Sequence, residues 1–402
     1  MIYSINHIIS YTICRLFIYI IPRIGHNIIK LKHISIFCFI FPIFKDLASQ
    51  PTKFNLPNPR KSIGIQYARG FLFAHSPLMH AIGRGPNQSL EINFEIQTSG
   101  KKDWEWYHKL PLWRLLFNIA DFSDPQHIGL VYSLGTEMSF PLIRSKIFYM
   151  GITGALGIGF VSKPFDPLTN NINGAVSAPI NYLLRPGLEW SLKIHSHMYL
   201  LYGLKFMHWS VGALTLPNLG MNIPAFSLGI KAGWGVRNLP EENKPKFIRP
   251  KWQIDWLVCL GMKQVMPIGT GFYPTATLGI WAYKQFTPKS GLPIGLDLFY
   301  DESIKMRLFR VNHSYGYFRH TLRAGLFGGY EFVINKFSLY FHFGGYFLWP
   351  DKLDTRFYQR IGMRYRVGNR GLINFSLKSH FFVADFVELG GGFRIFRFNK
   401  KK

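Results

Sequence analysis

Two residues of the types used in nucleophilic acyl transfer stand two apart at the end of the segment Tyr202-Gly203-Leu204-Lys205-Phe206-Met207-His208-Trp209-Ser210. A hydroxyl is a weak nucleophile until a neighbouring base takes its proton. An imidazole does this, and the activated serine then attacks an ester carbonyl. On a β-strand, residues i and i+2 project to one face. His208 and Ser210 therefore share a side with Leu200, Tyr202, Leu204 and Phe206, while Lys205 and Met207 face the other way. If the apolar side meets lipid, the pair rides on the lipid-facing wall, and an ester in a membrane lipid would arrive from there. Polar groups on such a wall are costly unless they lie near the interface or serve a function. Alone, His-x-Ser is a weak signal, more often two polar residues near a strand end in an aromatic girdle.

The elements that must position this pair are strands. After residue 50 no uncharged apolar stretch is long enough for a transmembrane helix, which needs about 18–20 residues. Segments rich in aromatic and β-branched residues recur instead, separated by Gly, Pro, Asn, Asp and Lys, the spacing of antiparallel β-structure. They fall at 63–73, 89–98, 113–122, 127–142, 145–161, 178–194, 198–210, 225–236, 251–265, 273–286, 291–301, 319–334, 337–350, 355–368, 371–382 and 384–396, which makes 16, the even number that a closed bacterial barrel requires.

Alternation within them assigns faces. Phe357, Ile361, Met363, Tyr365 and Val367 oppose Arg360, Arg364 and Arg366; Ile294, Leu296, Leu298 and Tyr300 oppose Gly295, Asp297 and Asp301, with Phe299 the exception. Phe226, Leu228, Ile230, Ala232, Trp234 and Val236 oppose Ser227, Gly229, Lys231, Gly233 and Gly235. A soluble sandwich alternates too, but it buries its apolar face and exposes its charges. Large aromatic faces set against small or charged ones, with no helical pattern to cover the sheet, favour lipid outside and polar groups within. The expected fold is all-β, an antiparallel up-and-down transmembrane β-barrel of the outer-membrane type with about 16 strands. One closed barrel is favoured because no long linker separates the halves. An eight-stranded barrel over 63–236 followed by a second unit over 251–396 is the alternative.

Composition agrees. Of 402 residues, 48% are hydrophobic, 17% aromatic and only 17% charged, beside 38 glycines. That excludes disorder, a coiled coil and a typical soluble helical enzyme. The net charge of +26 favours an anionic partner, a lipid head group or a charged lumen. Lys and Arg are spread along the chain with few clustered runs, so no nucleic-acid partner is expected. Residues 1–49 read as an export signal. Lys30 and Lys32 precede the apolar core Ile34 to Phe44, and Ala48-Ser49 offers small residues for cleavage. The remainder, 50–402, is the barrel, and the expected location is the outer membrane. Cys14 and Cys38 fall in the export region, leaving Cys259 with no intramolecular disulfide partner.

The residues that follow the pair narrow the chemistry. The run from His208-Trp209-Ser210 through Pro217-Asn218 to Gly220-Met221-Asn222 resembles the signature of the lipid A 3-O-deacylase (PagL-like, acyloxyacyl hydrolase) family. Phe73-Ala74-His75-Ser76-Pro77-Leu78-Met79-His80, Leu298 to Ser303 and Phe357 to Tyr365 are similar to segments of its longer, Bacteroidetes-type members. The resemblance implies an outer-membrane barrel that removes an ester-linked acyl chain from lipid A of lipopolysaccharide, without a cofactor and surrounded by membrane lipids. By position it makes His208 the general base, Ser210 the nucleophile and Asn218 an oxyanion-hole donor, although asparagine after Pro217 is equally a turn residue. The family's acidic third member falls at Asn222, whose amide can fix the imidazole tautomer but stabilises imidazolium less than a carboxylate does. Asn222 lies on the lipid-facing parity of the next strand, so it is expected to meet His208 across the hairpin. Where the family often has Asn after the serine, this chain has Val211.

Other candidates are weaker. The ten remaining histidines of the mature region lack any His-Glu-x-x-His context, and His195-Ser196-His197 reads as a turn, so no metal is expected. Gly83-Arg84-Gly85-Pro86 is too short for a phosphate loop. Arg84, Lys101, Lys102, Lys244 and Lys246 read as solvated loop charge, with contact to lipid A phosphates as the alternative.

Overall fold

The computed structural model describes residues 59–397 apart from 84, 237–244, 249, 251, 314 and 315. The expected export segment lies outside the described residues.

Among the described residues sixteen antiparallel strands form, and every sequence-derived segment coincides with one of them. The first eight are β1 (Pro59–Phe71), β2 (Pro86–Gln97), β3 (Leu112–Asp121), β4 (Leu130–Arg144), β5 (Phe148–Val161), β6 (Ile180–Lys193), β7 (Met198–Ser210) and β8 (Met221–Val236). They are followed by β9 (Gln253–Lys263), β10 (Tyr273–Thr287), β11 (Ser290–Asp301), β12 (Leu322–Ile334), β13 (Phe337–Leu348), β14 (Phe357–Val367), β15 (Gly371–His380) and β16 (Val383–Arg397). A short helix α1 (Asp103–Tyr107) sits in the β2–β3 loop, and α2 (Ser303–Asn312) in the β11–β12 loop.

The favoured single 16-stranded ring is corrected. β1 pairs with β8 and β9 with β16, giving two closed barrels of eight strands each. The reason is visible in the lumens. An eight-stranded ring is just wide enough to be filled by its own side chains, whereas a 16-stranded one encloses a water channel. Here both interiors are filled. In the first barrel Arg114 meets Glu95, Glu137 and Glu189, Arg185 meets Glu91 and Glu137, and Lys231 meets Glu95 at 2.7 Å. In the second, Arg360 joins Asp297 and Glu388, Arg364 and Arg394 join Asp255, and Lys263 and Lys378 join Asp385. Trp281, Phe299, Tyr340 and Tyr358 are buried among these ions. Phe299, the exception to the alternation, is thus an inward-facing packing residue, and Arg360 and Arg364 face the lumen as their parity requires.

The outer walls carry the apolar sets, among them Leu204, Phe206, Phe226, Leu228, Ile294, Leu296, Phe357 and Ile361, all exposed. Buried charge inside and exposed aromatics outside invert the soluble pattern and define an outer-membrane type of barrel. No helix among the described residues is long and apolar enough to cross a membrane, which is no constraint on a protein that crosses with strands.

Candidate active site

β7 is held in register by a side chain that points inward. Trp209 is fully buried, packs edge-on against Phe122 and donates its indole N–H to Ser133 Oγ at 3.0 Å. Because strand side chains alternate, seating Trp209 in the lumen turns both flanking residues, His208 and Ser210, onto the outer wall beside exposed Phe206 and Leu204. A one-residue slip would exchange these faces and strand an indole in lipid.

The β7–β8 hairpin then assembles the rest. β8 begins at Met221, earlier than the sequence pattern placed it, and the register sets Asn222 directly opposite His208. Asn222 Oδ1 accepts from His208 Nδ1 at 2.6 Å. That fixes the tautomer with Nε2 as the acceptor. The chain approaches the ring closely at Gly220 (φ +77°), where a Cβ would lie 2.8 Å from His208 Cε1, so no larger residue fits. Asn218 Nδ2 donates to Ser210 Oγ at 2.8 Å and also to the Gly212 carbonyl. The Gly212 N–H donates to the same Ser210 Oγ at 3.0 Å. All four residues singled out from the sequence are brought together. The imidazole and the Ser210 hydroxyl are not hydrogen-bonded to each other; the hydroxyl is held by Asn218 and Gly212.

Sequence reasoning missed two participants. One is the Gly212 amide, a second donor supplied by backbone where Val211 replaces the family's asparagine. A glycine two residues past a strand end was the available signal, and its φ of +66° is the conformation that glycine tolerates. The other is His75, weighed only as a metal ligand. It sits on the β1–β2 loop, whose Phe73 N–H bonds the Asn222 carbonyl at 2.8 Å, and its Nδ1 lies 3.3 Å from Asn222 Nδ2. His75 thus meets the nitrogen end of the amide while His208 meets the oxygen end.

Further along the same outer wall, Phe71, Leu188, Leu204, Phe206, Pro224 and Phe226 line an open apolar groove of about 660 Å³, which Arg69 also borders. Lys101, Lys102 and Lys246 lie at the opposite end of the barrel from the site, on the β2–β3 and β8–β9 connections. Arg84 and Lys244 are outside the described residues. His195 and His197 occupy the β6–β7 turn, also at that far end.

Residues 252–400 match the family described as acyloxyacyl hydrolase, C-terminal domain. The match is confined to the second barrel and is in keeping with the PagL-like resemblance of the sequence motifs. The fold defines an outer-membrane type of β-barrel, and its second half is similar to the C-terminal domain of acyloxyacyl hydrolases. The matched residues form the second barrel, whereas the His208–Ser210 constellation belongs to the first. No curated protein matches. Among solved structures, the Acinetobacter baumannii outer membrane protein Omp33 is 8% identical, with 84% of this chain and 100% of that chain covered at a TM-score of 0.16. A Rhodopseudomonas blastica porin triple mutant is 9% identical over 83% and 99%, again at 0.16. At that score neither carries a structural argument.

Proposed function

We propose that the protein is an outer-membrane hydrolase that removes an ester-linked acyl chain from lipid A by a His208/Ser210 mechanism. The observation that carries this reading is the pairing of Asn222 with His208 Nδ1 beside a serine held by two amide donors, all on the wall that faces lipid. In the resting protein Ser210 Oγ accepts from Asn218 and Gly212. On substrate entry the hydroxyl turns toward His208, a rearrangement common in unliganded active sites. Nε2 takes the proton as Oγ bonds to the ester carbon. The carbonyl oxygen becomes an oxyanion and accepts from Asn218 Nδ2 and the Gly212 N–H, each donor worth roughly 3–4 kcal/mol. The C–O bond to the sugar hydroxyl breaks, and that oxygen takes the proton from His208. Water, deprotonated by the same imidazole, then releases the fatty acid. The apolar groove bordered by Phe206 and Phe226 suits the departing chain, and Arg69 beside it suits a phosphate of the lipid.

The test is mass spectrometry of lipid A incubated with the purified protein. Wild type should remove one acyl chain, and Ser210→Ala should lower the rate by about 10³-fold or more, the order expected for loss of a nucleophile. If wild type and variant both leave lipid A intact, the enzyme reading fails. A catalytically degenerate barrel, which the amide at position 222 favours, or a non-enzymatic one with a channel or structural role then stands in its place.

A further inference from the structure

We propose that the second barrel sets the geometry of the Ser210 loop, with Gln264 as its positioning residue; this rests on the hydrolase reading above. The loop 211–220 carries both oxyanion donors, Gly212 and Asn218, and the stretch between them leans on the other barrel. Gln264 lies immediately after β9. Its side-chain Oε1 accepts the Leu216 N–H at 2.9 Å, and its own backbone N–H donates to the Ala213 carbonyl at 3.0 Å. At Gly212 the outer faces of β15 and β16 close in. A Cβ there would lie 2.6 Å from Val387 Cγ2 and 3.3 Å from Leu377 Cδ1. Phe375 packs against Tyr182, the residue opposite Ser210 on β6, with ring centroids 5.4 Å apart.

The loop's other fastenings lie within the first barrel and elsewhere along it. Leu219 and Gly220 donate to the Gly174 and Ala175 carbonyls, and Thr215 bonds Ser177 through its hydroxyl. The Ala213 carbonyl and the Leu216 amide are thus tied to the second barrel alone. A donor displaced by about 1 Å costs on the order of 10²-fold in rate. The clamp therefore acts on turnover, whereas the groove that takes the chain is built on strands and is left alone.

The experiment compares full-length wild type, Gln264→Ala and Gln264→Glu in lipid nanodiscs. Glutamate keeps an oxygen for the Leu216 N–H; alanine removes it. In the alanine variant, hydrogen exchange at residues 213–216 should quicken while the amides of β7 and β8 keep their protection. Its kcat on lipid A should fall about 10-fold at unchanged KM, and the glutamate variant should recover most of both. Unchanged exchange at 213–216 in the alanine variant overturns the clamp, whatever the hydrolysis data say. Quickened exchange with unchanged kcat overturns the positioning role. Quickened exchange in a protein whose wild type never hydrolyses lipid A overturns the enzymatic reading and leaves the clamp as a structural tie.

Discussion

At the scale of single residues, the departure at position 222 is the one with chemical consequence. An amide at 2.6 Å orients His208 as well as a carboxylate would, but it offers no charge to stabilise the imidazolium that the proposed mechanism forms when Ser210 gives up its proton. Asn222→Asp is nearly isosteric, so the oxygen facing Nδ1 stays in place and gains that charge. The expected outcome is a kcat at least about 10-fold above wild type, well short of the roughly 10⁴-fold gap in a Ser-His-Asp triad, where the amide also imposes the wrong tautomer. The aspartate also faces His75 Nδ1, with a carboxylate oxygen where the amide has its N–H donor. A steady-state rate at or below wild type would show that imidazolium stabilisation does not limit the proposed reaction. Of the four candidate residues, the two-residue beat put His208 and Ser210 on one face, whereas Asn218 and Asn222 came from the family resemblance; the structure places all four together. His75 was not legible in the sequence, because it comes from the β1–β2 loop, 147 residues before Asn222, and sequence spacing says nothing about loops that meet at a barrel rim.

At the scale of elements, strands announced themselves and helices did not. All the strand segments were readable because lipid outside and ions inside impose a strict alternation. The ten-residue α2 follows Asp301-Glu302 and sits on a loop. Its sequence, Ser303-Ile304-Lys305-Met306-Arg307, carries too little apolar periodicity to stand out. The short α1 does more than close a turn. Its C-cap residue His108 is buried among Phe140 of the first barrel and Phe332 of the second, and its Nε2–H donates to the Val333 carbonyl at 2.8 Å. Burial pushes its pKa below the ordinary value of 6.5, and the nearby Lys289 ammonium pushes the same way, against the opposing pull of the Val333 carbonyl. A histidine held neutral in the fold stabilises the contact above its unfolded pKa. The unfolded chain gains the proton first as pH falls, so the stabilisation fades below about pH 6.5. Thermal unfolding followed by gel mobility should therefore show a loss of resistance between pH 7 and 5. His108→Gln, which keeps an N–H donor but does not titrate, should flatten that dependence. An identical pH profile for the two proteins would remove His108 from the account.

At the scale of the whole molecule, closure was the one question that alternation could not decide. Sixteen strands alternate in the same way in one wide ring or two narrow ones, and the β8–β9 connection is short in either case. What decides it is volume. The second lumen holds Trp281 stacked edge-on with Phe327 and Tyr340, and Arg364 4.3 Å above the same indole. These side chains reach across an eight-stranded ring and find partners; in a ring of 16 they would line water with their apolar faces exposed. Function follows from the same volume. Arg114 is bound by three carboxylates in one lumen, and Arg360 and Arg364 are paired with carboxylates in the other, so these charges are spent on one another rather than lining a water path for ions. The protein reconstituted in planar bilayers should therefore show no steady single-channel current at neutral pH, in 0.1 M or in 1 M salt alike. High salt screens exposed charges over about 3 Å but reaches buried pairs much less. Long-lived conductance steps that scale with salt would mean that the ion networks open in the bilayer and would favour the channel reading.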